Sequence, residues 1–244
     1  MESFEIVVKK GATAKTRAGS GKEISEQELS EVENAITADL RALPELNVDA
    51  IRNVRRKFST QLRKNSPAWI IALSLRLVRR SAVVPRFFAY ELIQHHKPAL
   101  QSLNTAALEA LGRGNDSWEK VDTFACYLAG PVWRERQISD NVIKGWARST
   151  DRWWRRTALV STVPLNNKAR GGRGDSKRTL MICETLLADR DDMVVKSLSW
   201  ALRELSKRDA DSVNTFLQKH LDALAPRVVR EVKNKLQTGL KNPG

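Results

Sequence analysis

The chain is poor in the residues that make metal or thiol chemistry. Of its 244 residues, three are histidine and two are cysteine. His95 and His96 are adjacent, so they cannot share one helical face, and His220 stands alone; no metal site is expected. Cys126 and Cys183 form no CxxC pair and fall in helical patterns, which predicts two small buried hydrophobes in a reducing compartment. No serine or cysteine stands out as a nucleophile with a nearby base. The GxxxxGK[ST] pattern of a phosphate loop is missing. So are long apolar runs: none approaches the ~18 residues of a membrane span. The opening MESFEIVVKK places two acids ahead of its first lysine, and its apolar run is too short for a signal peptide. These absences predict a cytoplasmic, nucleoid-associated chain with no cofactor and no membrane partner. Strand patterns are scarce too, Phe4–Val8 being the one candidate.

What is short in acid is long in base. Against 28 aspartates and glutamates stand 42 lysines and arginines, a formal charge of +14. Such an excess points to a polyanion, most often nucleic acid. A hydrophobic content of 41% suits a folded chain rather than a disordered one. Residues 9–22 are small, polar and basic, and read as a flexible arm covering 1–23. From there the pattern is helical: near 25–42, 48–64, 67–79, 84–96, 98–111, 116–129, 139–149, 152–163, 176–188, 191–206, 211–222 and 224–238. Ser25 and Glu28 suit a capping box. Pro67, Pro85 and Pro98 sit where first-turn prolines are tolerated, and Asp116 or Ser117 can cap the sixth helix. Pairs of these helices recur at roughly 35–45 residues, in the range of HEAT-like arrays. The expected fold is therefore all-α: a single α-solenoid of stacked antiparallel helical pairs over 24–238, with a short tail at 239–244. An irregular helical domain is the alternative. Stacked pairs curve, and the concave side suits a long ligand.

Three segments carry residues that could do chemistry. In 191–207, read at about 100° per residue, Val194, Leu198, Ala201 and Leu205 form one stripe roughly 60° wide, facing the core. Trp200 lies about 130–140° from its centre, with the cations Lys196 and Arg203 beside it. A ring set between cations marks either a binding surface or packing against a neighbouring helix. In the sixth helix Val121, Phe124 and Leu128 are buried. Trp118 and Asp122, one turn apart, share another face, which Ala125 and Ala129 continue with room beside the carboxylate. That arrangement is either a shallow pocket or an ordinary amphipathic helix. In DRWWRRTALV, Arg156 falls among Leu159, Val160 and Val163. An arginine in an apolar stripe must be paired, with a carboxylate such as Asp122, or reach a phosphate with its planar fork. Arg155 points elsewhere and is expected to be solvated, and Glu91 reads as a surface pair with His95. Residues 166–178, NNKARGGRGDSKR, are either a mobile phosphate clamp bearing Lys168, Arg170 and Arg173 or a solvated insertion. The Arg-Gly-Asp within it reads as chance.

These segments resemble the bacterial HEAT-like repeat alkylpurine DNA glycosylases of the AlkD type. The likeness rests on Ser117-Trp118-Glu119-Lys120-Val121-Asp122, on Trp153 through Leu159, and on Lys196 through Glu204, in the same order and at similar separations, within a span of about 45–238. It implies a concave basic DNA-binding cleft in which Trp118, Asp122, Arg156 and Trp200 surround a damaged nucleotide. Two features depart from it: the glycine-rich insertion 166–178 is longer than expected, and the N-terminal arm has no counterpart. The resemblance implies a monomeric, monofunctional glycosylase acting on double-stranded DNA that contains alkylated bases. Its relatives include proteins that bind DNA without cutting. On this reading Asp122 stabilises the reacting sugar, and nearby arginines keep it ionised. Trp118 and Trp200 hold the lesion, and Arg156 grips a phosphate. Lys196, Arg203, Arg52, Arg55 and Arg56, with the loop's Lys168, Arg170 and Arg173, hold the backbone.

Overall fold

A computed structural model of the protein describes residues 25–243, and in them every regular element is helical. The arm and the Phe4–Val8 segment lie outside the described residues. Helix α1 spans Glu26–Arg41, α2 Val48–Gln61, α3 Pro67–Arg79, α4 Arg86–His95, α5 Lys97–Ser102, α6 Thr105–Gly112 and α7 Trp118–Phe124. Then come α8 Gly130–Arg134, α9 Asp140–Ala147, α10 Arg152–Val160, α11 Val163–Asn166, α12 Ser176–Thr185, α13 Asp192–Leu205, α14 Ala210–Lys219 and α15 Pro226–Thr238.

The starts are set by short polar side chains that accept otherwise orphaned N–H groups of the first turn. Ser25 Oγ accepts from Glu28 N at 3.3 Å, Asn47 Oδ1 from Ala50 N at 2.9 Å, and Asp191 Oδ1 from Met193 N at 2.9 Å. Asp175, the last residue of the Arg-Gly-Asp triplet, caps α12 through Arg178 N at 2.9 Å, which gives that aspartate a structural role. The sixth expected helix departs from its pattern. Ser117 occupies the cap position of α7 without a side-chain bond, and Asp116 pairs instead with Lys120 at 2.6 Å. The α-ladder stops at Phe124, and Ala125–Ala129 form a π turn in which Gly130 N bonds Ala125 O. Pro131 gives the reason: it has no N–H, and its ring would meet the carbonyl four residues back, so the helix widens by one residue before α8 resumes. The pattern at 98–111 also divides, into α5 and α6, where Asn104 caps the second piece.

Two rows of helices result. In one row α2 packs on α4, α4 on α7, α7 on α10, α10 on α13, and α13 on α15. In the other α1 packs on α3, α3 on α5 and α6, and α9 on α12. Contacts of α1 with α2, α3 with α4, α9 with α10, α12 with α13 and α14 with α15 join the rows. This is an all-α, solenoid-like fold. Its main apolar core runs from Leu29 in α1 to Val232 in α15. Gly112 ends α6 where a Cβ would stand 2.8 Å from both Phe124 and Trp154, so only glycine permits that approach. Both cysteines are buried and unpaired. Among the described residues no helix is long and apolar enough to cross a membrane, and no group of three or more histidine, cysteine or acidic side chains is placed to hold a metal ion.

Candidate nucleic-acid interface

The row α2–α4–α7–α10–α13–α15 carries the candidate residues outside the 166–178 loop, and Asp122 in α7 is at its middle. Arg156 in α10 reaches it with a two-bond fork: Nε donates to Oδ1 at 2.9 Å and Nη2 to Oδ2 at 2.8 Å. Nη1 donates to the carbonyl of Met193, at the start of α13, at 2.6 Å. One guanidinium thus ties three successive helices of the row together. It is buried, while the Asp122 side chain keeps 16% of its surface. The pairing reading of Arg156 is the one that matches this geometry. These bonds use three of its five N–H groups, and they are made inside the fold.

Burial pushes the Asp122 carboxyl above the usual carboxylate range. The Arg156 hydrogen bonds and charge pull it down, Glu119 adds to the rise, and desolvation is the largest cause. Arg156 acts in the expected direction, favouring the ionised form, and burial opposes it with the larger effect.

The indoles differ in their settings. Trp118, one turn before Asp122, is 52% exposed. Trp200 is half-buried and lies, with Tyr127, against a small cluster of Ala125, Cys126, Val160 and Val163. The packing expected as one reading of Trp200 is present, and the residue keeps part of its surface exposed. The π turn is what brings Ala125 and Cys126 under it. Ala125 and Ala129, expected to leave room beside the carboxylate, are both fully buried. Burial pushes the Cys126 thiol up to about 12, so it is an inert hydrophobe.

The expected backbone contacts divide into free and engaged cations. Lys196 keeps 41% of its side-chain surface and pairs with Asp192 at 2.6 Å. Arg56 is exposed, its Nη2 donating to Asn53. Lys168, Arg170 and Arg173 are exposed, Arg173 standing 3.6 Å from Glu135. Arg55 is a correction: it is buried and donates to Glu91 at 3.1 Å. Arg52 shares the same carboxylate at 2.9 Å but keeps 35% of its side-chain surface. Glu91 is itself corrected from a surface residue to a buried one. Arg203 is drawn inward, its Nε donating to Ser199 Oγ at 3.1 Å and standing 3.9 Å from the buried Glu231. Arg155 is not solvated: it donates to Asp189 at 2.7 Å and to the carbonyls of Ser149 and Thr150. The loop 166–178 is pinned rather than free. Arg208 donates to the carbonyls of Asn166 and Gly172, Gly174 N to Leu165 O, and Arg134 to Arg170 O.

Over residues 23–236 the chain matches the family model described as DNA alkylation repair enzyme. The chain belongs to that family. Among curated proteins none matches it. A member of the DNA alkylation repair enzyme family acts in repair of alkylated DNA, and DNA is its partner. The match takes in every candidate residue and the 166–178 loop, and leaves most of the basic arm outside. What single-sequence reasoning missed in this family member are the buried glutamates. Glu33 holds Arg76 at 2.6 Å as well as Arg80, Glu204 holds Asn167 and Lys207, and Glu231 holds Ser199 and Arg227. Position in the helical stripe could have flagged them: an acid in register with core residues needs a partner, as Arg156 did.

Proposed function

We propose that the protein is a monofunctional DNA glycosylase that hydrolyses the N-glycosidic bond of purines alkylated at the 3- or 7-position in duplex DNA. The observation that carries this reading is one fixed carboxylate, Asp122, on a face with an exposed Trp118, in a chain of net charge +14 from a DNA alkylation repair family. A 3- or 7-alkylated purine already bears a positive charge. When its bond to C1′ breaks, the bonding electrons go to the purine nitrogen and neutralise that charge, so no general acid is required (ordinary glycoside hydrolysis needs one). Positive charge grows on the deoxyribose, and a preorganised anion beside it lowers the barrier. The Arg156 fork takes one lone pair of each Asp122 oxygen and leaves the others for the sugar and for the attacking water. The water's oxygen bonds C1′, its proton passes to solvent, and the products are the free purine and an abasic site.

Trp118 and Trp200 hold the cationic lesion and its sugar by stacking and cation–π contact, about 0.5–2 kcal/mol each. Lys196, Arg56 and Lys168, which are exposed, hold backbone phosphates without reading sequence. Arg156 is a positioning residue that acts through Asp122.

One observation favours a second reading. A buried bidentate pair also suits a purely structural bridge, in which case the protein binds damaged or branched DNA without cutting it. Conversion of methylated duplex into abasic sites, by the wild type and not by the Asp122→Asn chain, supports the glycosylase; equal inactivity of the two supports the binder. Trp200→Ala is expected to weaken binding of a lesion-bearing duplex several-fold and to slow excision as well. Normal binding by that variant, read by fluorescence anisotropy, would remove Trp200 from the interface.

A further inference from the structure

Tyr127 has no part in the chemistry above, yet two arginines from distant segments meet on it. It sits at the centre of the π turn, against the same cluster as Trp200. Its hydroxyl accepts from Arg52 Nη2, in α2, at 3.4 Å. The guanidinium of Arg170, from the 166–178 loop, lies over its ring, 5.4 Å from the centroid. We propose that Arg52, Tyr127 and Arg170 form a clamp for one phosphodiester group of the bound duplex, beside the Trp200 ring. The clamp rests on the duplex-binding reading above and adds a defined contact to it.

Charge is the first argument. Glu91 is shared by Arg52 and Arg55, so one carboxylate faces two guanidinium groups and one positive charge is left over. Arg170 has no acidic partner among the described residues. The spot therefore carries unneutralised positive charge, and an anion is what completes it. Preorganisation is the second. Arg52 is anchored by the buried Glu91. The short 3₁₀ turn bearing Arg170, Lys168–Arg170, is lashed to α13 by Asn167, which donates to Glu204 at 2.9 Å and accepts from Arg170 N at 3.2 Å. Arg134 holds the Arg170 carbonyl at 2.6 Å. Behind it Gly172 packs so closely that a Cβ would lie 2.7 Å from Pro164 O and from the Asn166–Asn167 backbone. The loop that departs from the expected length is thus built to present Arg170 at this place. Shape is the third. One face of the tyrosine is already covered by a guanidinium, which disfavours base stacking there, while two planar forks at one ring suit the oxygens of a phosphate.

The test is affinity for an unmodified duplex, measured against salt, for the wild type, Arg170→Ala, Arg52→Ala and the double variant. Arg170 is exposed, and beyond its contact with the Tyr127 ring its side chain makes no hydrogen bond or ion pair to another element among the described residues, so its loss is expected to leave the fold intact. Each single change is expected to weaken binding several-fold, and the double variant to flatten the log–log salt slope by about one, the loss of one phosphate contact. Because both arginines grip one phosphate, the double variant should lose less than the product of the single losses. An unchanged slope in the double variant, or losses that simply multiply, would overturn the clamp. So would saturable calorimetric binding of inorganic phosphate that Arg170→Ala abolishes, since that site would serve a free anion. Asp122→Asn separates this inference from the glycosylase reading: it should keep the wild-type salt slope whether or not excision is lost.

Discussion

Asp122→Asn is expected to slow base excision roughly 10²–10³-fold at saturating DNA, the usual loss when one preorganised electrostatic group is removed from a reacting centre, while duplex affinity holds or improves. The amide has the shape of the carboxylate and lacks its charge. The stabilisation of a developing sugar cation disappears, and the repulsion between the carboxylate and nearby backbone phosphates disappears with it. The two quantities should therefore move apart, which few structural defects would cause. Single-turnover release of 7-methylguanine by a variant that still melts cooperatively is the measurement. A wild-type rate would place the chemistry elsewhere.

Arg156→Ala should be costly to the fold itself. It leaves a largely buried carboxylate without its fork and frees the Met193 carbonyl, and removing one partner of such a pair costs about 3–5 kcal/mol. The sign with pH follows from the causes. In the wild type, burial already holds the Asp122 carboxyl above its ordinary value, and Arg156 is the group that pulls it down. Without Arg156, burial and Glu119 act alone, and the carboxyl rises further. Protonation then relieves the buried charge, so the penalty of the variant should be largest at neutral pH and shrink as pH falls through the raised value. Excision needs the ionised form, so its acid limb should lie above the ordinary carboxylate range in the wild type and shift to higher pH in any residual activity of the variant. Urea midpoints at neutral and acidic pH test the first statement. A penalty independent of pH would mean that the pair does not control the charge of Asp122.

The fold was readable where periodicity and caps agree. Ser25, Pro67 and the stripe Val194–Leu198–Ala201–Leu205 announce their helices because helix starts and core faces depend on near neighbours in the chain. Arg156 was readable as a group needing a partner, because an arginine in an apolar stripe allows few solutions. The partners that lie far off in sequence were not readable. Nothing local says that Glu91 lies under Arg52 and Arg55, or that Arg203 turns toward Ser199 and Glu231. Those contacts are set by how successive helices stack. The π turn was overlooked although Pro131 signalled it, and Tyr127 with it, since a one-residue widening rotates every later side chain onto a new face. By composition the loop 166–178 reads as a mobile clamp or a solvated insertion, but Asn166, Asn167 and Arg208 pin it, and composition does not record such bonds.

The most direct test is to incubate the wild-type protein with duplex DNA carrying 3- and 7-methylpurines and to separate what leaves the polymer. The account predicts free 3-methyladenine or 7-methylguanine in solution, with an equal number of abasic sites left in an unbroken strand. Tight binding of that DNA with every methylated base still attached would contradict it.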